Sequence, residues 1–329
     1  MKGEFELIDR LIQGWKFKQD VKIPPGDDSS AVIIEPTEGT LLLQTTDILV
    51  ENVHFRREWG NAYQLGWKSL AVNLSDIAAM GGKPKHAHLS LAIPQKWSEE
   101  SIIGLRDGFK ALADIHEVDL IGGDLSLSKN DLLIAVSLNG IVHEDHVIRR
   151  KGANPGDVIW VSSYLGDAAA GLRCLQNNSE NKGCTDLISA FSEPHPEIEL
   201  GLLCAESAQT TAMIDISDGL AGDLGHILKA SDAGAVLVEA DLPISETLQS
   251  IAIAEEWDTT QMALYGGEDY RLLGCTGEQD FDSFASAVSR KLGRTIYAIG
   301  TITKDSGLRL KRRNGSIDEI NPTAHDHFK

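Results

Sequence analysis

Carboxylates that interrupt apolar segments are the side chains of this chain best suited to chemistry. Asp47 lies inside the strand-like run LLLQTTDILV, and Asp215 lies inside AMIDIS. A buried carboxylate without a positive partner costs several kcal/mol, so such positions need a reason. Further acids stand at turns, at a helix start or one helical turn after an asparagine: Asp27, Asp28, Asp76, Asp124, Asp218, Glu268 and Asp269. If these side chains converge in the fold, they form a metal site.

Each of these acids has a simpler interpretation when it is taken alone. Asp218 at a helix start is a favoured N-cap residue. Asp27 after a glycine is common turn chemistry, and Asp124 could close an Asx turn. Asp47 and Asp215 have no such alternative, because they stand within apolar strands. The whole set therefore favours metal binding over solvated surface acids.

The donor types indicate which ion would bind. Oxygen ligands without a histidine or cysteine cluster suit Mg²⁺ or Ca²⁺, and the sequence contains no EF-hand loop. Mg²⁺ held by scattered carboxylates shares its shell with phosphate oxygens, which indicates a nucleotide or a phosphorylated substrate. The sequence has neither a P-loop nor the kinase H-R-D and D-F-G motifs. The phosphates would then be held by several metal ions, by N–H groups of IGGD and YGGED, by the helix N-terminus after Ser217, and by Arg150.

Length, charge and cysteine spacing narrow the class of protein. The 329 residues predict two domains, and a net charge of −19 argues against nucleic acid as a partner. Apolar runs such as LLIAV fall short of the roughly 20 residues that a membrane span needs, and the start, MKGEFELIDRLIQGW, lacks the apolar centre of a signal peptide. Four cysteines without paired spacing argue against a zinc site or a disulfide framework and predict a cytoplasmic location: Cys174, Cys184, Cys204 and Cys275.

Alternating strand-like and helix-like segments carry the carboxylates. Apolar residues at helical spacing predict a helix over residues 61–82, and Ser98 is expected to cap a second helix. The alternation in HAHLSLAIP and the apolar run LLIAVSLNGIV predict strands. Turn residues in KGANPGD mark a domain boundary. The sequence thus predicts an α/β (α+β) protein with domains at residues 1–149 and 150–329.

Seven stretches, read together and in order, resemble the thiamine-monophosphate kinase family. They are PPGDDSSAV, TTDILVENVHF, KSLAVNLSDIAAMGGKP, LIGGDLSLS, RRKGANPGD, IDISDGLAGDLGHILKASD and LYGGEDY. NLSDIAAMGG and IDISDGL are shared more loosely with the wider superfamily that includes aminoimidazole-ribotide synthetase, whereas TTDILVENVHF and GGEDY favour the thiamine enzymes. The resemblance extends over nearly the whole chain.

This resemblance implies an activity, a fold and a set of site residues. The activity is transfer of the ATP γ-phosphoryl group to the phosphate of thiamine monophosphate, with several Mg²⁺ ions and no general base. The fold is a two-domain fold like that of aminoimidazole-ribotide synthetase, whose N-terminal domain forms a cross-subunit β-barrel in a homodimer. The implied Mg²⁺ ligands are Asp28, Thr45, Thr46, Asp47, Asp76, Asp124, Asp215 and Asp218. The implied ATP contacts are Gly123, Asp124, Arg150 and Ser217, and the implied substrate contacts are His54, Glu268 and His325.

Two alternative functions stay open at the level of the sequence. The first is another ATP-dependent enzyme of the superfamily, with aminoimidazole-ribotide synthetase as the runner-up. The second is an acidic metal-binding protein without catalytic activity. His325 departs from the family pattern, because AHDHF has a histidine where relatives often carry an aromatic residue, and we expect only a weak substrate contact there.

Overall fold

The computed structural model describes residues 10–19, 21–23, 31–32, 38–177 and 184–322. The chain divides into two units, Met1–Ile77 with Lys83–Asp145 and Ala78–Gly82 with His146–Lys329. Asp27 and the predicted site residues Asp28 and His325 lie outside the described residues. No helix in the described part of the chain is long and apolar enough to cross a membrane.

A four-stranded sheet forms the centre of the first unit. Its strands are β3 (Thr40–Val50), β4 (Lys83–Pro94), β5 (Asp119–Ser128) and β6 (Leu133–His143). Their order is β3-β6-β4-β5, in which the β4–β5 pair is parallel and the other two pairs are antiparallel. Two short strands, β1 (Val21–Ile23) and β2 (Ala31–Val32), form a separate antiparallel pair. The longer helices described here are α1 (Ala62–Ala79) and α2 (Glu99–Ile115), and a short 3-10 helix covers Arg57–Trp59.

The predicted patterns of the first unit are confirmed. The Ser98 hydroxyl accepts a hydrogen bond from the Ser101 N–H at 3.1 Å and caps α2. The apolar stripe of α2 is buried: Ile102, Leu105, Phe109 and Leu112. The side chain of Ile77 on α1 packs directly over Gly140 of β6. The apolar spacing in these segments therefore identified the faces that build the core.

The two faces of β3 differ in their surroundings. Thr45 points toward α1, because its hydroxyl donates to Asp76 on that helix. Strand alternation places Asp47 on the same face and Leu42, Thr46 and Ile48 on the opposite one. Leu42 is 45% exposed and Ile48 is 51% exposed. The face of the sheet away from α1 is therefore uncovered at β3.

A seven-stranded sheet forms the centre of the second unit. Its strands are β7 (Val158–Val161), β8 (Thr210–Asp215), β9 (Gly234–Val238), β10 (Leu272–Thr276), β11 (Tyr297–Thr303), β12 (Gly307–Lys311) and β13 (Ile317–Ile320). The order is β13-β12-β9-β11-β7-β10-β8, with β9 and β12 parallel and the other neighbours antiparallel. The predicted strand AMIDIS is β8, an edge strand of this sheet, and Asp215 is its last residue.

Seven α-helices accompany this sheet in the part of the unit that the structure describes. They are α3 (Asp167–Gln176), α4 (Cys184–Ser192), α5 (Ile198–Ser207), α6 (Leu220–Ser231), α7 (Glu246–Glu255), α8 (Thr259–Tyr265) and α9 (Glu278–Leu292), together with a short 3-10 helix, Glu239–Asp241. Leu220, Leu224 and Ile227 of α6 are buried in the main core of the unit. Residues of β8 and α6 both belong to this core, and the loop between the two elements carries Ser217 and Asp218.

The cysteine expectation is wrong for two of the four residues. Cys174 at the end of α3 and Cys184 at the start of α4 form a disulfide, with their Cα atoms 6.0 Å apart. Cys204 and Cys275 are free and buried. A separation of ten residues is no disulfide signal in itself. The packing of α3 against α4 brings the two sulfur atoms together, and spacing along the chain could not show this.

Thiol titration tests the disulfide. In denaturant without a reductant we expect two reactive thiols per chain, those of Cys204 and Cys275, and four after reduction. Because the bridge restricts the unfolded chain, reduction should lower the free energy of unfolding by about 3 kcal/mol for a loop of this length. The variant Cys204→Ala is a control, since it should lose one thiol in both conditions. Four reactive thiols without reductant would contradict the bridge.

Candidate active site

A pair of carboxylates lies between β3 and α1 in the first unit. The Thr45 hydroxyl donates to Asp76 Oδ2 at 2.5 Å, and Asp47 follows two residues later on the same face of β3. Burial, and secondly the negative charge of Asp76, raise the pKa of Asp47 to about 6. Among the residues that the structure describes, no lysine or arginine forms an ion pair with Asp47. A proton or a cation would relieve the repulsion between the two acids.

The donors around this pair are of the type that Mg²⁺ prefers. Two carboxylates and a hydroxyl offer oxygen atoms only, which suits a hard cation. Within the described residues, no group of three or more histidine, cysteine, aspartate or glutamate side chains is arranged to hold a metal ion. A cation on Asp47 and Asp76 would therefore complete its shell with water or with ligand oxygens, as Mg²⁺ commonly does.

Asp124 is not part of this carboxylate pair within one chain. It lies inside β5, opposite Ser90, and not at a turn as predicted from the sequence. The strands β3 and β5 are the two edges of the sheet, so three inter-strand spacings of about 4.8 Å separate them. Gly123 is required where it stands, because a Cβ atom there would meet the Leu89 carbonyl oxygen at 1.9 Å. Thr46, on the uncovered face of β3, bonds instead to Ser137 and the Val136 carbonyl.

His54 lies in a tight turn at the end of β3. Its Nδ1 accepts the Val50 N–H at 3.0 Å, and its own N–H donates to the Val50 carbonyl at 2.9 Å. Because Nδ1 is an acceptor, the proton of the neutral ring is on Nε2. The turn thus fixes both the place and the tautomer of the predicted substrate contact.

Glu51 anchors this turn and was missed by the sequence analysis. Its side chain is 3% exposed and accepts from the Leu132 N–H, from Trp97 Nε1 and from Lys96 Nζ, at 2.8, 3.0 and 2.8 Å. Burial alone would raise the pKa of Glu51, but these hydrogen bonds outweigh it and lower the pKa. The only sequence signal was a glutamate directly after the apolar run DILV. Its partners come from distant segments, so the sequence could not show its role.

Two predicted ligand segments of the second unit lie side by side. The loop after β8 bonds to the GGED segment through two backbone pairs: the Glu268 N–H donates to the Ser217 carbonyl at 2.7 Å, and the Tyr270 N–H donates to the Ile216 carbonyl at 2.8 Å. Asp215 at the end of β8 is 5% exposed, and Asp218 is partly exposed. Arg150 is exposed, and its carbonyl accepts from the Ser231 hydroxyl at 3.5 Å. The fold therefore brings Ser217, Asp218 and Glu268 together.

Two further buried aspartates hold the backbone around these segments. Asp269 accepts the N–H groups of Gly166 and Ala168 at 2.9 and 3.4 Å, and Asp223 on α6 accepts N–H groups of the loop after β8. Burial raises the pKa of each to about 7, against the lowering effect of these hydrogen bonds. Asp269 was singled out from the sequence without a role, and Asp223 was not predicted. An aspartate four residues after the glycine of SDG was the available signal.

Comparison with known proteins identifies the family. The model of "AIR synthase related protein, N-terminal domain" matches residues 26–142, and that of the C-terminal domain matches residues 154–313. The thiamine-monophosphate kinase of Bacillus subtilis is 35% identical over 332 residues, which is 99% of both chains. That of Escherichia coli K12 is 36% identical over 99% of this chain and 98% of the relative. The chain belongs to the thiamine-monophosphate kinase family.

Solved structures of the family have the same fold. Thiamine-monophosphate kinase from Stenotrophomonas maltophilia K279a is 35% identical and superposes with a TM-score of 0.82, over 93% of this chain and 94% of that one. AaThiL complexed with AMPPCP and TMP is 30% identical, with a TM-score of 0.79 over 99% and 97% of the two chains. The predicted two-domain α/β fold like that of aminoimidazole-ribotide synthetase is therefore confirmed.

The pH dependence of stability tests the burial of Asp269. Its folded pKa of about 7 lies above the ordinary value of 3.8, so the stability contributed by the neutral carboxyl group is lost as the pH rises from about 4 to about 7. Asp269→Asn cannot ionise. Its free energy of unfolding relative to wild type should therefore increase with pH across this window, on the order of 1 kcal/mol per pH unit.

Denaturant titrations at several pH values measure this difference. Asp258→Asn is the matched control, because Asp258 is an exposed N-cap that accepts the Gln261 N–H at 3.0 Å. The free energy of unfolding of Asp258→Asn should change with pH in the same way as that of wild type. A parallel curve for Asp269→Asn as well would contradict the burial argument.

Proposed function

We propose that this protein transfers the γ-phosphoryl group of ATP to the phosphate of thiamine monophosphate and so forms thiamine diphosphate. The observation that carries the proposal is the 35–36% identity to thiamine-monophosphate kinases over 99% of the chain. The match to AaThiL complexed with AMPPCP and TMP supports the same ligands here. The acid pair of Asp47 and Asp76 supplies a place for the cation that such a transfer needs.

Charge repulsion is the main barrier that the site must overcome. Both molecules carry phosphates, and two like charges at ~4 Å repel by about 4 kcal/mol at an intermediate dielectric. Bound Mg²⁺ would neutralise this charge and stabilise the transferring group. The proposed Mg²⁺ ligands are Asp28, Thr45, Thr46, Asp47, Asp76, Asp124, Asp215 and Asp218. Burial and Asp76 raise the pKa of Asp47 to about 6, and a bound cation would lower it and favour the ionised form.

The remaining residues of the site bind and orient the two molecules. The acceptor is a phosphate oxygen that is already anionic, so no side chain has to act as a general base. His54 and Glu268 are the proposed contacts to the thiamine phosphate. Gly123, Asp124, Arg150 and Ser217 are the proposed ATP contacts. His325 remains a proposed weak contact, outside the described residues.

A homodimer would complete the first unit. The sheet leaves β3 and β5 as free edges of the described part of the unit, and the face with Leu42 and Ile48 is uncovered. Unpaired edges and exposed apolar faces favour association. A barrel formed with the sheet of a second copy would cover this face, and it would bring Asp124 nearer to the acid pair of the other chain.

We propose a cytoplasmic location for this enzyme. ATP and Mg²⁺ are abundant in the cytoplasm, which supports this location, although a disulfide is unusual there.

Release of ADP from ATP and Mg²⁺ tests the activity directly. We expect turnover with thiamine monophosphate and none with formylglycinamidine ribotide. Turnover with the ribotide alone would favour an enzyme like aminoimidazole-ribotide synthetase. No turnover with either compound, despite Mg²⁺ binding, would favour a binding protein without catalytic activity.

Removal of one acid of the pair tests the role of the cation. Asp47→Asn and Asp76→Asn should each lower kcat/KM by about 100-fold or more, because cation binding is weakened, while the fold survives. Asp114→Asn is the control, since Asp114 is exposed and pairs with Lys110 at 2.7 Å, one helical turn away. Circular dichroism without Mg²⁺ distinguishes loss of cation binding from loss of the fold. If both variants are unfolded there, the pair is structural.

A further inference from the structure

One carboxylate oxygen accepts hydrogen bonds from three consecutive backbone N–H groups just before α6. Asp223 Oδ2 accepts the N–H groups of Ser217, Asp218 and Gly219 at 3.0, 3.0 and 3.1 Å. Asp223 is 2% exposed. Gly219 has a φ of 110°, a conformation that other residues rarely adopt, and this lets the loop curl over the carboxylate. The contact is therefore specific to this loop.

The same loop is also held from its carbonyl side. The Ser217 carbonyl accepts the Glu268 N–H at 2.7 Å, and the Ile216 carbonyl accepts the Tyr270 N–H at 2.8 Å. The backbone of the loop is thus bonded to Asp223 on one side and to the GGED segment on the other. With the peptide groups fixed in this way, the side chains of Ser217 and Asp218 are the groups left to meet a ligand.

The carboxylate also changes how an anion can be bound here. The sequence analysis expects phosphate at the helix N-terminus after Ser217, where backbone N–H groups would face it. The three N–H groups of the preceding loop are engaged by Asp223, and a carboxylate at this place repels a phosphate. A phosphate at these N–H groups would have to displace Asp223. Recognition through the Ser217 and Asp218 side chains needs no such displacement.

We propose that Asp223 is a positioning residue for phosphoryl transfer. It orients the loop of residues 217–219 so that Ser217 meets the nucleotide and Asp218 meets a cation, and it fixes Glu268 through the Ser217 carbonyl. This inference rests on the proposed function for its kinetic consequences, but the hydrogen bonds themselves are tested without substrate. Asp223 acts through the loop and does not itself contact the reacting groups.

Steady-state kinetics compare Asp223→Asn with a matched variant. Asparagine keeps one acceptor oxygen but loses the charge. Asp157→Asn is the control, because Asp157 is also a buried aspartate, 6% exposed, and it accepts the Asn154 N–H at 2.9 Å and the Thr211 hydroxyl at 2.6 Å. We expect Asp223→Asn to raise the KM for ATP and to lower kcat/KM by about 10- to 100-fold, as a misplaced contact does. Asp157→Asn should stay within about twofold of wild type per folded molecule.

Hydrogen exchange of the free protein provides a readout that does not depend on activity. In wild type the N–H groups of Ser217, Asp218 and Gly219 should exchange slowly, and in Asp223→Asn they should exchange at least about tenfold faster. The rest of α6 should keep its protection. If wild type shows this protection but no turnover of thiamine monophosphate, the proposed function fails while the anchoring by Asp223 stands.

A second variant, Asp223→Ala, allows a chemical-rescue experiment with formate. Asp223→Ala leaves three buried donors and a space that formate can fill, so formate should restore slow exchange and part of the lost kcat/KM. Formate should not change wild type or Asp157→Ala. The proposal is overturned if Asp223→Asn has the kinetics of wild type or if both Asn variants lose activity equally without a change in KM. It is also overturned if neither Asp223 variant folds and formate does not restore the fold.

Discussion

The free-energy cost of removing a carboxylate from water determines how the buried acids of this protein are bonded. An ionised acid in the interior must find hydrogen-bond donors, a positive charge or a proton. The structure uses the first solution repeatedly, together with an ion pair to Lys96 at Glu51 and a raised pKa at Asp223 and Asp269. Glu51, Asp223 and Asp269 are buried, and each accepts at least two hydrogen bonds from the fold. Each of these acids thereby ties a loop to its surroundings.

Asp47 and Asp76 are arranged differently. Asp47 receives no ion pair within the described residues, and its neighbour adds negative charge to the same place. An arrangement of this kind is unfavourable by itself, because both desolvation and repulsion oppose ionisation. It becomes favourable once a divalent cation is present. Hydrogen bonds from backbone N–H groups identify Glu51, Asp223 and Asp269 as anchors, whereas Asp47 and Asp76 are proposed as cation ligands.

The anchors and the proposed ligands are neighbours along the chain. Glu51 precedes His54 by three residues, Asp223 follows Asp218 by five, and Asp269 follows Glu268 directly. A loop that must hold a charged ligand cannot bury enough apolar surface to be rigid by itself. Buried carboxylates that bond to backbone N–H groups supply this rigidity over a short distance. We regard these three pairs as the physical basis of order in the segments that carry the proposed ligands.

The sequence by itself determined the fold class, most of the strands and helices, and the family. Apolar periodicity identified β3, α1, β4 and α2, because local spacing decides which face of an element can be buried. It also drew attention to Asp47 and Asp215, since a charge within an apolar run is visible without coordinates.

Only the tertiary structure decided which of these acids meet. It placed Asp47 beside Asp76 and put Asp124 on the opposite edge of the sheet. It joined Cys174 to Cys184 and gave Asp223 its three donors. Strand order and loop path bring together groups that are far apart in the chain, and neither is encoded by local spacing. For that reason the residue types could be predicted from the sequence, but their partners could not.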